Sequence, residues 1–284
     1  AALGGLDDLL NIYGVERSKP RPFGRILKLI KVHKNFRKRV QLFLLLPWSA
    51  YKSFFYMLGS NPGKGIQAHE KIIVQSIIGL SLGIALYFFT PSSFPEIVHI
   101  PLLNAYINIG WLLIPFAWIA VVLMSNAVNL ADGMDALAAS ELLLAFFAFF
   151  VISFIETDSR FIFLNASVIG SLIAYIYFNI PPARFQMGDV GSLAMGTLLT
   201  VTAFMLQQPF LLLIIGFPFV VTLLSTIIQG IGRRILGIRI FRMAPIHYHF
   251  QMAKEWSEEK VVMRFILFSL VCSIIGIFVY LLKL

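Results

Sequence analysis

The chain has 284 residues, of which 58% are hydrophobic and 13% charged, with a formal net charge of +9. A soluble domain is about a quarter charged, so this composition excludes an ordinary soluble enzyme and indicates a polytopic membrane protein. The single cysteine, Cys272, excludes a disulfide framework, and basic residues concentrated beside apolar runs point to anionic lipid or an anionic substrate rather than nucleic acid.

The chain starts at Ala1, and AALGGLDD reads as the tail of an apolar helix cut off at its start, so a longer natural N-terminus is expected. Residues 12–64 follow as a distinct segment. RSKPRPFGRILKLIKVHKNFRKRVQ is basic and partly amphipathic, and LFLLLPWSAYKSFFYML is apolar but interrupted by Pro47 and Lys52. An additional span there would upset the alternation of loops, so the segment is read as a helical hairpin on the inner leaflet.

A membrane span needs about 20 apolar residues. Stretches at roughly 72–90, 111–125, 136–155, 161–179, 192–206, 209–229 and 262–282 qualify or nearly so, which predicts an all-α bundle of about seven transmembrane helices forming one domain over 1–284. Residues 9–71 hold 13 of the 23 Lys and Arg, and 230–261 hold six, whereas 91–110 hold none. By the positive-inside rule, 9–71, 126–135, 180–191 and 230–261 lie in the cytoplasm.

Five aspartates, Asp7, Asp8, Asp132, Asp135 and Asp189, fall at span ends on that predicted side. Any one of them reads equally well as a solvated helix cap. Five on one side read better as a site, because carboxylates near hydrocarbon are costly. In SNAVNLADGMDALAAS, Asn126, Asn129, Asp132 and Asp135 recur every third residue. That spacing drifts about 60° per step on a straight helix, so a break at Gly133 is expected, with Asp132 capping the next helix. In MGDVGS, Ser192 is the expected cap of the following span, and Gly188 and Gly191 permit close backbone approach. A helix N-terminus attracts anions. An aspartate there makes sense with a divalent cation between carboxylate and phosphate, so Asp189 is a candidate magnesium ligand. RMAPIHYHFQ places His247 and His249 beside Arg242. Their spacing suits a strand or an irregular loop rather than one helix face, zinc is disfavoured by the absence of cysteine ligands and the oxygen-rich surroundings, and diphosphate binding competes with a purely structural loop.

Together these segments resemble the phospho-N-acetylmuramoyl-pentapeptide transferase family. GGLDDLL resembles its double-aspartate motif and GIQAHEKIIVQ its lysine-bearing stretch. NAVNLADGMDALA resembles the central motif, and FNIPPARFQMGDVGSLAMG the segment around the essential aspartate. LSTIIQ and RMAPIHYHFQ, with EWSEEKVVMRF, resemble the final ones. The resemblance covers most of the chain in order and implies ten helices, three of them ahead of Asp7. It implies transfer of phospho-N-acetylmuramoyl-pentapeptide from UDP to undecaprenyl phosphate, giving lipid I and UMP. Magnesium is the implied cofactor, a homodimer a possible assembly, and the bacterial plasma membrane the location, with the site at its cytoplasmic face. Residue by residue, it implies that Asp189 associates with magnesium and that Asp7, beside Asp8, deprotonates the lipid phosphate. Asn126, Asn129, Asp132 and Asp135 would line the nucleotide and phosphosugar site, with Asn179 by the uridine. His247 would act catalytically, and Lys71, Gln229 and His249 would bind substrate. The sequence departs from the family at Tyr248, Gln251, Gln186 and Asn11, and in the length between Asn11 and Gly65. Glu141 has no implied role, and it is expected to snorkel or pair within the bundle.

Three rival readings differ in their tests. A sister enzyme would use UDP-N-acetylglucosamine, a transporter would carry acids at mid-membrane rather than on one side, and an inactive fragment would lack a formed site.

Overall fold

Backbone polar groups in hydrocarbon must be satisfied within the chain, which favours helices. The computed structural model describes residues 1–13, 23–32, 35–58, 66–89, 97–101 and 105–282. In chain order these form α1 (Ala2–Tyr13), α2 (Phe23–Val32), α3 (Phe36–Leu44), α4 (Leu46–Leu58), α5 (Ala68–Phe89), β1 (Ile97–Ile100), β2 (Ala105–Asn108), α6 (Leu113–Ala131), α7 (Leu137–Ile155), α8 (Ser159–Asn179), α9 (Gly188–Met205), α10 (Pro209–Ile215), α11 (Phe217–Arg234), α12 (Ile246–Lys254) and α13 (Glu258–Leu281).

Six helices among the described residues are long and apolar enough to cross a membrane, or seven if α10 and α11 count as one bent span. These coincide with the seven predicted stretches. The sixth stretch is not one straight helix, because it bends by 78° between α10 and α11. Gly216 sits at the break, and Pro209 and Pro218 lie in the first turns of the two helices. Proline has no N–H to continue the ladder and its ring crowds the preceding turn. The loop predicted between the first two spans contains the antiparallel β1–β2 hairpin, paired from Ile97↔Asn108 to Ile100↔Ala105. Its β-branched residues favour the strand.

The most buried helix is α7, whose Ala138, Ala139, Ala145 and Ala148 let neighbours approach Phe146 and Phe149 at the centre of the core. Glu141 is buried there too, and Ser269 Oγ lies 3.4 Å from its Oε1, so it pairs within the bundle rather than snorkelling.

Close crossings set the frame for the site. A Cβ on Gly196 of α9 would come within 2.7 Å of Ser125 Cα on α6. A Cβ on Gly4 of α1 would overlap the Asp189 and Val190 backbone of α9. Small residues at such crossings let helices pack in the bilayer. In the 12–64 segment, the described part forms α2, α3 and α4, none of them long enough to span, and α4 packs on α5 and α11.

Candidate active site

The crossings bring polar residues together one helical turn away. Asp7 lies three residues beyond Gly4, so the α1–α9 contact brings its carboxylate to Asp189 in the first turn of α9. Four residues beyond Ser125 lies Asn129, and four before Gly196 lies Ser192. Asn129 Nδ2 donates to Ser192 Oγ at 2.9 Å and to Asp189 Oδ1 at 2.7 Å. From the first turn of α5, the Lys71 ammonium reaches between the two carboxylates. It lies 2.6 Å from Asp7 Oδ2 and also pairs with Asp189 Oδ2. The Ile66 N–H donates to Asp7 Oδ1. Four predicted residues from four helices thus converge: Asp7, Lys71, Asn129 and Asp189. The predicted role of Asp8 falls on a side chain outside the described residues, although its backbone lies in α1.

The turn between α6 and α7 flanks this cluster. The predicted break at Gly133 is present, since α6 ends at Ala131 and α7 begins at Leu137. Asp132 does not cap α7. It is the C-cap of α6, while the N-cap of α7 is Ala136, in the left-handed region at φ 63°. Asp132 accepts a hydrogen bond from the Gly188 N–H. Burial pushes its carboxyl up to about 6 against that bond, and the nearby Asp189 and Asp135 charges add to the rise. Ser192 is likewise not a cap, because α9 starts four residues earlier and its hydroxyl donates to Gly188 O at 2.7 Å.

Other predicted residues have structural partners. Asn126 Nδ2 donates to Gln75 Oε1 at 2.6 Å. Asp135 Oδ2 accepts from Ala183 N at 2.9 Å, and its own N–H donates to Glu258 Oε1 at 3.2 Å. Asn179 is buried, accepting from Ala136 N at 2.8 Å and donating to Phe185 O at 2.9 Å. Gln229 holds the Phe241 backbone through both ends of its amide, at 2.8 and 2.9 Å. Asn179 and Gln229 therefore shape the walls through backbone contacts. Phe185 is half-exposed beside Tyr175, with ring centroids 5.4 Å apart.

The histidine segment is helical rather than irregular, as α12 begins directly after Pro245. His247 is fully buried, and a Cβ on Gly133 would lie 3.1 Å from its Nε2, so α12 packs on the turn that carries Asp132. Burial pulls the imidazole down to about 4, leaving it neutral at pH 7. The Tyr248 hydroxyl donates to Gly133 O. His249, on another face, accepts at Nδ1 from Arg242 N at 3.1 Å. Sequence reasoning overlooked Gln75, which stands in the same stretch as Lys71, and Glu258, which follows the α13 cap Ser257.

Elsewhere on the bundle, α6, α10 and α11 form an open groove of about 330 Å³ lined by apolar side chains, including Phe116, Leu123, Ala127, Leu212, Val220 and Ile227. At about 100° per residue the α6 side of this lining faces away from Asn129.

A family model described as glycosyl transferase family 4 matches residues 62–207. The chain is 36% identical over 230 residues to a phospho-N-acetylmuramoyl-pentapeptide-transferase of Wolbachia pipientis wMel, covering 78% of this chain and 70% of the relative. A protein of the same description from Latilactobacillus sakei subsp. sakei is 34% identical over 243 residues, covering 85% and 74%. One from Halalkalibacterium halodurans is 36% identical over 214 residues, covering 75% and 65%.

Proposed function

The chain belongs to the phospho-N-acetylmuramoyl-pentapeptide transferase family, and from that premise we propose that it transfers phospho-N-acetylmuramoyl-pentapeptide from UDP to undecaprenyl phosphate, with release of lipid I and UMP. In that reaction an oxygen of the lipid phosphate attacks the β-phosphorus of the nucleotide sugar. The bond from that phosphorus to the bridging oxygen breaks, and UMP leaves. Several phosphate charges must approach one another, so the site has to supply neutralisation and alignment.

The observation that carries the reading is the Asp7–Lys71–Asp189–Asn129 cluster. In this reading Asp7 accepts the proton of the lipid phosphate, whose second ionisation lies near neutrality (about 6). Asn129 fixes the Asp189 carboxylate, and the Lys71 ammonium neutralises both acids. In this reading Arg242 and His249, joined by the Arg242 N–H to His249 Nδ1 bond, meet the diphosphate, while neutral His247 holds α12 against Gly133.

The donor set fits magnesium. That ion takes one or two carboxylates and completes its shell with water and phosphate oxygens. Among the described residues no group of three His, Cys, Asp or Glu side chains forms a closed cage. Asp189, with Asp7 facing it, would hold the ion, which when bound supplies positive charge to the phosphate oxygens. A direct transfer is favoured, because a metal-held Asp189 is a poor nucleophile. The basic segments 9–71 and 230–261 support a plasma-membrane enzyme with this site on the cytoplasmic face.

The test uses purified protein with UDP-N-acetylmuramoyl-pentapeptide, undecaprenyl phosphate and magnesium, following UMP and lipid I. Both products are expected, and EDTA should abolish them. UMP formed only from UDP-N-acetylglucosamine would replace the donor, and no UMP from either would refute the reading.

A further inference from the structure

Residues 17–69 contain twelve Lys or Arg and no Asp or Glu. The first helix there divides this charge from apolar surface, and the second exposes both together. On α2, Arg25, Lys28 and Lys31 are exposed while Ile26 is buried, and at about 100° per residue the three cations share one flank. Helix α3 has no buried residue. It exposes Arg37, Lys38 and Arg39 together with Phe36 (77% exposed), Phe43 (65%) and Leu44 (71%). Such a mixture is poorly suited to water alone, where contiguous exposed apolar surface marks an interaction site.

The next helix fixes the height of this surface. The Tyr51 hydroxyl donates to His69 O at 2.9 Å, at the residue where the first candidate span begins. The Trp48 ring stacks 5.6 Å from Tyr51, and Lys52 Nζ lies 4.9 Å from the Trp48 ring centre. Tryptophan, tyrosine and lysine are characteristic of the membrane–water boundary. The arm therefore leaves the bundle at the level where α5 enters hydrocarbon, on the end that carries the acidic cluster.

We propose that α2–α4 form an arm that lies on the bilayer and binds anionic phospholipid headgroups, with Phe36, Phe43 and Leu44 seated below the phosphates and the cations among them. A nucleic acid or acidic protein would match the charges but leave those three apolar side chains in water.

The test places the full chain, with Cys272→Ala, in lipid nanodiscs and attaches a fluorophore at Phe43→Cys. Quenching by nitroxide-bearing lipid is compared in zwitterionic discs and in discs with about 30% phosphatidylglycerol. At least twofold stronger quenching is expected in the anionic discs. Salt near 1 M, where the Debye length is about 3 Å, should remove the difference without altering the chain. The variant R25Q/K28Q/K31Q/R37Q/K38Q/R39Q should remove it as well. Equal quenching in the two lipids would overturn the proposal. So would shielding of the label by an added oligonucleotide in place of lipid.

Discussion

Replacing Lys71 by glutamine removes the cation that stands between Asp7 and Asp189. The ammonium lies 2.6 Å from Asp7 Oδ2 and contacts Asp189. The side chain of Asp7 is 4% exposed, and those of Lys71 and Asp189 are each 19% exposed. Removing one partner of a fully buried pair costs about 3–5 kcal/mol, and the partial exposure of two partners reduces this to about 2 kcal/mol by solvent screening. Without metal, Lys71→Gln should therefore melt about 4–6 °C lower, at roughly 2–3 °C per kcal/mol for a chain of this size. Magnesium should restore more melting temperature in the variant than in the parent, because the ion no longer competes with an ammonium for the same carboxylates. UMP release should still fall at least tenfold (about 1.4 kcal/mol of barrier), since the ion alone does not supply the lysine's hydrogen bonds. The assay is thermal unfolding in EDTA and across a magnesium titration, run beside UMP release. Equal melting in EDTA together with an equal gain from magnesium would refute the bridging role.

Asp189→Asn keeps the shape but not the charge of the proposed ligand, and UMP release should drop by at least a hundredfold (about 2.7 kcal/mol); near-parental turnover would remove Asp189 from the mechanism. Gly4→Ala forces a Cβ into the Asp189–Val190 backbone, whereas the Cβ of Gly5→Ala would meet only Val190 Cγ2 at 3.8 Å. The first should displace α1, cost about 1–3 kcal/mol and cut activity tenfold or more while the second is tolerated, so similar activity in both would contradict the crossing. His247 is held down to about 4 by burial, below its ordinary value near 6.5, so between those values only the unfolded chain takes up a proton. Stability should then decline by about 3 kcal/mol as pH falls from 6.5 to 4, and melting curves of His247→Gln should be flatter over that window; parallel curves would show that the imidazole titrates normally in the fold.

The helices were readable wherever apolar length alone decides the structure, as in α5 to α9 and α13. Local details that depend on a few residues were not. Both expected caps failed, at Asp132 and Ser192, for a shared reason: each polar side chain answers a partner on another element, namely Gly188 N–H for Asp132 and Asn129 for Ser192. A capping rule sees only the local backbone. The bend at Gly216 was hidden inside a continuous apolar run, although Pro209 and Pro218 stood in the sequence as the signal. A spacing of two between the histidines does not fit one helix face and so suggests a strand or an irregular loop. In the structure the two do not share a face, and only His247 is buried against Gly133.

Which carboxylates meet is a harder question than which residues are polar, because spacing along the chain does not relate α1 to α9. The structure shows a rule that sequence spacing can use afterwards. Gly4 lies three residues before Asp7, and Gly196 lies four residues after Ser192, so each of these two glycines, at its own helix crossing, stands one turn from a polar residue at the cluster. On a helix, positions three or four apart share a face. A crossing tight enough to exclude a Cβ therefore brings the next turn of both helices within hydrogen-bond reach. In GGLDD, Gly4 meets the Asp189–Val190 backbone and brings Asp7 to Asp189, whereas in GDVGSLAMG, Gly196 meets Ser125 of α6 and brings Ser192 to Asn129. Lys71 enters from a third helix, and its ammonium holds two like charges together at the end of the bundle.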